Sequence, residues 1–178
     1  MIFLIGGIAV LLVFLLSLSI IHIRSLRDDL NNRWYNLTDK LQYRQDLIPN
    51  LIETVRTFIP KEKLSSHQNL IQETIDARIL AAKNLKPGSE KILQEHALSK
   101  EINALFSLGQ QYDDLGKSTN YLELKKEFKD IKTAIQDMVK DYNFRVRHHN
   151  SVIKRPYNVL PAVLMRFSKK HIFSLDGE

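Results

Sequence analysis

From Met1 to Ile21 the chain carries no charged side chain, and Ser17 and Ser19 are the only hydroxyls in a run of Ile, Leu, Val, Phe, Ala and Gly. About 20 apolar residues in a helix cross roughly 30 Å of hydrocarbon. A secretory signal peptide would open on a basic region, have a shorter apolar core and end at a small-residue cleavage site. Here no Lys or Arg precedes the run, and Ser17-Leu18-Ser19 is a poor cleavage site. A core helix open to solvent on one side would carry polar residues. Residues 1–23 are therefore expected to be an uncleaved transmembrane anchor. Arg24, Arg27, Arg33 and Lys40 follow closely. The positive-inside rule then places the N-terminus outside and the bulk of the chain in the cytoplasm.

Beyond the anchor the apolar residues keep a helical period. Leu30, Trp34, Leu37, Leu41, Arg44, Ile48, Leu51, Val55 and Phe58 alternate steps of four and three, with Arg44 the one polar exception. This is a helix with one apolar face. Pro60 stops it. A second helix is expected over residues 61–86, with Leu64, Ile71, Ile75, Ile79 and Ala82 on its inner face. Pro87-Gly88-Ser89 marks a turn, and Ser89 is placed to cap a third helix bearing Ile92, Leu98, Ile102, Leu105, Leu108 and Tyr112. Residues 113–120 read as another turn. A long fourth helix shows Tyr121, Leu124, Phe128, Ile131, Ile135, Met138, Tyr142 and His149, and Pro156 ends it. Nothing reads as a strand. The expected fold is all-α: a transmembrane helix followed by an antiparallel four-helix bundle over residues 24–155, with shallow crossing angles and a tail over 156–178.

Charge is unevenly spread. Between Asp141 and Asp176 there are seven Lys and Arg and no acid, which exceeds the net charge of +6 for the whole chain, so the remainder is slightly acidic. In an up-down-up-down bundle the fourth helix returns toward the bilayer, with the turns at Pro60 and Gly116 pointing away. Lys154, Arg155, Arg166, Lys169 and Lys170 would then face an anionic leaflet, at about 1 kcal/mol for each charge near the surface. The tail's apolar residues could equally cover the open end of the bundle.

Familiar catalytic and metal patterns are missing. The chain has no cysteine, which excludes disulfides and thiolate metal sites. No histidine has Glu three residues before it, as di-iron bundles require. Gly116-Lys117-Ser118 echoes the end of a phosphate-binding loop, but Gln111 stands where the first glycine belongs, and a helix precedes it instead of a strand. The zinc-protease, nucleophile-elbow and dinucleotide fingerprints are absent too. Asp28-Asp29 and Asp113-Asp114 sit at helix ends or turns, where carboxylates act as caps. No catalytic residue, metal ligand or cofactor is expected, nor is nucleic acid as a partner.

The residues that stand out are polar ones on the apolar stripe. Arg44 occupies a core position, and Pro49 lies within the same helix. Proline removes a backbone donor and leaves the carbonyl of Gln45 without its helical partner, so a kink is expected there. Two accounts fit Arg44, Asp46, Pro49 and Asn50. In one they hydrogen-bond into a neighbouring helix, for which Tyr142, Asn143 and Arg145 would supply a layer. In the other they form a small polar pocket. A buried Arg needs a carboxylate or several carbonyls around it, which favours the first.

At these same residues the chain resembles the LemA family of bacterial membrane proteins. Arg44-Gln45-Asp46-Leu47-Ile48-Pro49-Asn50-Leu51, followed by Glu53-Thr54-Val55, is similar to that family's signature. So are Tyr112 with Leu115, Asn120-Tyr121 with Leu124, Tyr142-Asn143 with Val146 and Asn150, and Pro156 with Asn158. Asp113, His149 and Arg155 depart from the family's usual proline, tyrosine and aromatic residue. The resemblance implies an N-terminal anchor, a four-helix bundle and no established enzymatic activity. The expected function is a single-pass, membrane-anchored interaction or scaffold module, not an enzyme, whose partners are the lipid bilayer and other proteins. The alternative is a sensor that binds a ligand or lipid near Arg44 and Pro49.

Overall fold

The structure, a computed structural model, describes residues 2–174. Met1, at the start of the expected anchor, and residues 175–178, at the end of the expected tail, lie outside the described residues. Every regular element among the described residues is helical: α1 (Ile2–Asp46), α2 (Ile48–Phe58), α3 (Lys61–Leu64), a 3-10 turn (Ser65–His67), α4 (Gln68–Lys83), α5 (Ser89–Gln111), α6 (Asp113–Lys117), α7 (Thr119–Val152) and α8 (Pro156–Leu164). They group into two compact units. One comprises residues 2–35 and 140–172, the other residues 36–139 with 173–174. The helices α1 and α7 contribute to both.

In the first unit, α1 begins as the apolar run. Its side chains from Phe3 to Leu15 are exposed, and the helix is long and apolar enough to cross a membrane. Burial begins at Ile23, which packs with Val152, Ile153 and Ala162. Farther along, Trp34 lies against Tyr142 with ring centroids 5.3 Å apart. Asp29 and Arg33 of α1 face Asp141 and Arg145 of α7 in a four-membered ion network, with Arg33 Nε 3.3 Å from Asp29 and Arg145 Nε 3.7 Å from Asp29. These groups are about two-fifths exposed, so each pair contributes only about 0–1 kcal/mol.

The second unit is an antiparallel helical bundle. Leu37, Leu41, Ile48, Leu51 and Val55 from α1 and α2 are buried, as are Leu98, Ile102, Leu105 and Leu108 of α5 and Tyr121, Leu124, Phe128, Ile131 and Ile135 of α7. These are the apolar stripes of the sequence, with Phe58 exposed at the end of the first. The start of α4 meets the end of α5 through His67 Nε2 and the Tyr112 hydroxyl, 2.9 Å apart. The end of α5 meets the start of α7 through the Tyr121 hydroxyl, which donates to the carbonyl of Phe106 at 2.5 Å. Gly109 and Gly116 permit this corner: a Cβ on Gly109 would collide with the Tyr121 ring, and one on Gly116 with the carbonyl of Gly109.

Several sequence expectations need correction. The inner face of the second helix is Ile71, Thr74, Ala77 and Ala81, while Ile79 and Ala82 are exposed and Ile75 is half-buried. Small side chains at 77 and 81 let α5 come close, and this outweighs the apolar area of Ile79. The expected helix over 61–86 is broken by the 3-10 turn at Ser65–His67. Gly88, not Ser89, is the N-cap of α5, and no side chain caps it. The expected turn over 113–120 contains the short helix α6. Helix α7 ends at Val152, and Pro156 opens α8 instead of ending the fourth helix, since proline is well suited to a first helical turn.

Candidate functional site

Arg44 is 6% exposed, and its carboxylate partner is Glu95 on α5, itself fully buried. One terminal nitrogen of Arg44 donates to Glu95 Oε2 at 2.5 Å, the other to the Ser99 hydroxyl at 3.0 Å. Gln45 Nε2 donates to Glu95 Oε1 at 2.9 Å. Lys91, one helical turn before Glu95 and 1% exposed, pairs with the same oxygen at 2.6 Å and donates to the carbonyl of Ala81 at 2.6 Å. Glu95 thus joins α1 to α5, and Lys91 extends the layer to α4. Such a layer holds together because nearly every buried donor finds an acceptor. The Nε of Arg44 is the exception, buried with no acceptor among the described residues.

The carbonyl that Pro49 orphans is satisfied from a different helix. Arg78 Nε donates to the Gln45 carbonyl at 2.7 Å, and the same guanidinium lies 3.6 Å from Asp46 Oδ1. The helix breaks at Leu47, and α2 starts with Pro49 in its first turn, where a missing N–H costs nothing. The backbone resumes at once, with Leu51 N donating to the Leu47 carbonyl at 3.2 Å. Asn50 has an exposed side chain; its carbonyl accepts from Thr54, whose hydroxyl accepts from Asn120 at 2.8 Å.

Of the sequence candidates, the structure gathers Arg44, Asp46 and Pro49 around one set of hydrogen bonds and puts Asn50 at their edge. Tyr142 and Asn143 belong to the other unit, where Tyr142 packs on Trp34. Arg145, expected in the same layer, joins the ion network with Asp29 and Asp141 instead. Burial raises the Tyr142 phenol above its usual range. Sequence reasoning missed Glu95, Lys91 and Arg78. A signal for the first two was present: Lys91 and Glu95 extend the register of Leu98, Ile102 and Leu105 backward by steps of three and four, so two charges sit on a buried face just as Arg44 does on α1.

The basic tail is tied down in the first unit. Asn158 is buried, donates to the Val152 carbonyl at 2.9 Å and accepts from the Ser19 hydroxyl of α1. Asn150 clamps the backbone of Lys170 in both directions, donating to its carbonyl and accepting from its N–H, each at 2.9 Å. Helix α8 closes with Arg166 at φ 52°, Phe167 N donating to the Ala162 carbonyl and Arg166 N to that of Val163. This is a Schellman ending, with Arg where glycine is usual. Phe167 packs back on the cluster around Ala162, and Arg27 lies over its ring at 5.2 Å. The outer face of α8 is apolar and open: Leu160 is 64% exposed, Val163 71% and Leu164 72%. Lys154, Arg155, Arg166 and Lys169 are exposed, and Lys170 is half-buried. His149, buried beneath the tail, donates weakly from Nδ1 to Asn150 at 3.4 Å, while its Nε2 has no partner among the described residues. Burial lowers its pKa. The Asn150 contact opposes this, and the charges of Lys170, Arg27 and His148 add to it.

Between α5 and α7 in the second unit lies a cleft of about 820 Å³, walled by Arg44 and by lysines from both helices over a floor that includes Phe128 and Ile135. Among the described residues, no three His, Asp or Glu side chains gather as a metal site would require.

An exposed apolar helix leading into an amphipathic bundle with a hydrogen-bonded polar layer fits a membrane-associated module. The chain belongs to the LemA family, whose model matches residues 33–178. It is also 29% identical over 114 residues to a component of eukaryotic translation initiation factor 3 from Drosophila melanogaster, a stretch covering 62% of this chain and 22% of that protein. The same component from Drosophila ananassae matches equally, with 23% of its length covered. The chain therefore spans less than a quarter of these curated relatives.

Proposed function

We propose that this chain is a non-enzymatic interaction or scaffold module at the cytoplasmic face of the cell membrane, held on the bilayer at two places. The first is α1. The second is α8 with the basic residues around it. The observation that carries the reading is the bond from Ser19 to Asn158 together with the Ile23, Val152, Ile153 and Ala162 cluster. These contacts fix α8 beside the point where α1 stops being uniformly apolar. At that depth a short helix exposing Leu160, Val163 and Leu164, flanked by Arg155 and Arg166, has the make-up of an interfacial element, apolar on one side and cationic at its rim. The bundle, with its polar layer internally bonded, would present its exposed surface to protein partners.

The absence of cysteine from the chain makes the test direct. Single Leu160→Cys and Val163→Cys variants, labelled with an environment-sensitive fluorophore in vesicles holding acidic lipid, should be quenched by nitroxide-bearing lipids. A Ser151→Cys label should not be. Equal quenching at all three positions, or none, refutes the second attachment. Crosslinking in native membranes followed by mass spectrometry tests the scaffold reading, which predicts recurrent protein partners. A second reading, ligand sensing in the second unit, is favoured by one observation: the cleft beside Arg44 has a volume typical of small-molecule pockets, about 300–1,000 Å³.

A further inference from the structure

The charges of α7 are sorted by side. Lys125, Lys129 and Lys132 line the cleft shared with α5, while Glu123, Glu127 and Asp130 line the opposite flank, beside Lys40 and Tyr43. Like charges at three- and four-residue spacing destabilise a helix. On the acidic flank that repulsion is relieved, since the Tyr43 hydroxyl donates to Glu127 at 2.5 Å and Lys40 and Lys126 stand alongside. On the basic flank it is not: Lys125, Lys129 and Lys132 make no ion pair among the described residues, and Lys100, facing them from α5, reaches only its neighbour Glu101 at 3.7 Å. Among the described residues, no acidic side chain lines this cleft.

Its floor is of another kind. Phe106, Phe128, Ile102 and Ile135 form it, with the two phenyl rings edge to face at 5.2 Å. At one wall stands Arg44, almost wholly buried, its Nε without an acceptor. Three lysines without an ion pair among the described residues, and a fourth paired only with its sequence neighbour, stand around an apolar floor and describe the complement of one kind of molecule.

We propose that the α5–α7 cleft binds an amphiphilic organic anion, a phosphate or carboxylate bearing an alkyl or aryl group, with the acidic head among Lys100, Lys125, Lys129 and Lys132 and the apolar part against Phe106 and Phe128. A volume of about 820 Å³ suits one such molecule, whereas a docked protein would need about 800 Å² of contact surface on each side. The proposal rests on the ligand-sensing reading and gives that ligand a chemistry. Charge-assisted bonds from several lysines supply the anion preference, and the floor supplies discrimination against inorganic anions.

The probe is hexyl phosphate, titrated calorimetrically into the full chain in nanodiscs of neutral phosphatidylcholine, with empty nanodiscs subtracted. Inorganic phosphate, hexanol and hexylammonium are the comparisons. Hexyl phosphate should bind saturably and about tenfold or more tighter than any of the three. Joint Lys125→Gln, Lys129→Gln and Lys132→Gln substitution should weaken it by about tenfold or more, with the thermal unfolding temperature unchanged or slightly raised, because these side chains are exposed and their mutual repulsion is removed. Neutralising Lys61, Lys63 and Lys86 instead should leave binding intact. Repeating the titration in nanodiscs containing an acidic lipid separates the sources: weaker apparent binding identifies a membrane lipid as competitor, unchanged binding a soluble amphiphile, and either outcome supports the site. No saturable binding of hexyl phosphate, or equal binding by the triple variant, overturns the proposal. Preferential binding of hexylammonium overturns the anion assignment while leaving the ligand-sensing reading standing.

Discussion

Glu95 accepts from Arg44, Gln45 and Lys91 at once, so its charge matters more than its shape. Removing one member of a buried ion cluster costs about 3–5 kcal/mol, because the cations left behind have neither water nor a counter-charge. Glu95→Gln should destabilise the chain on that scale, and more than Arg44→Met, which leaves the Lys91–Glu95 pair in place. Denaturant titration in detergent gives the ranking. His149 makes a prediction about pH. Its folded pKa lies below the usual 6.5 chiefly because it is buried, so the unfolded chain takes up the proton first. Its contribution to stability is intact above pH 6.5 and falls as the pH drops through that value toward the lower folded pKa. The unfolding temperature should fall between pH 7 and pH 5, and His149→Phe should flatten the decline. A Phe variant with the same slope assigns the acid sensitivity elsewhere.

At the level of elements, Pro49 and Arg78 form a linked pair. Proline breaks α1 from α2 and frees the Gln45 carbonyl, and α4 supplies the missing donor. A buried carbonyl stripped of its partner costs about 1–3 kcal/mol. Arg78→Ala should therefore destabilise by about that amount in the natural background. It should cost about 1 kcal/mol less in a Pro49→Ala background, where residue 49 regains its N–H. Equal costs in both backgrounds would show that Arg78 acts through Asp46 or packing instead. Pro49 makes the break legible in the sequence, but nothing local points to Arg78. Helix α4 is also the element whose inner face differs from expectation. Ile71, Ile75, Ile79 and Ala82 form one periodic stripe and Ile71, Thr74, Ala77 and Ala81 another, rotated by about one residue's step. Periodicity favours the face richer in isoleucine; the close approach of α5 selects the one with smaller side chains instead.

For the molecule as a whole, the charges after the apolar run carry the expected orientation. With no native cysteine, Ser66→Cys in intact cells should be protected from a membrane-impermeant maleimide and become reactive once the membrane is opened. Labelling before opening would reverse the topology. What the sequence by itself determined was whatever depends on neighbours along the chain: the apolar run, the helical periods, the stops at Pro60 and Pro87-Gly88, and the family signature around Arg44 and Pro49. Tertiary structure alone decided which groups meet. Arg44 announced a need for a carboxylate by its place on an apolar face, but helical spacing says which side a residue takes and not what lies across from it. Only packing brought Glu95 to Arg44, Arg78 to the Gln45 carbonyl and Asn158 to Ser19. The run from Met1 to Ile21 was legible because a bilayer is a uniform solvent; the polar layer was not, because its solvent is the rest of the protein.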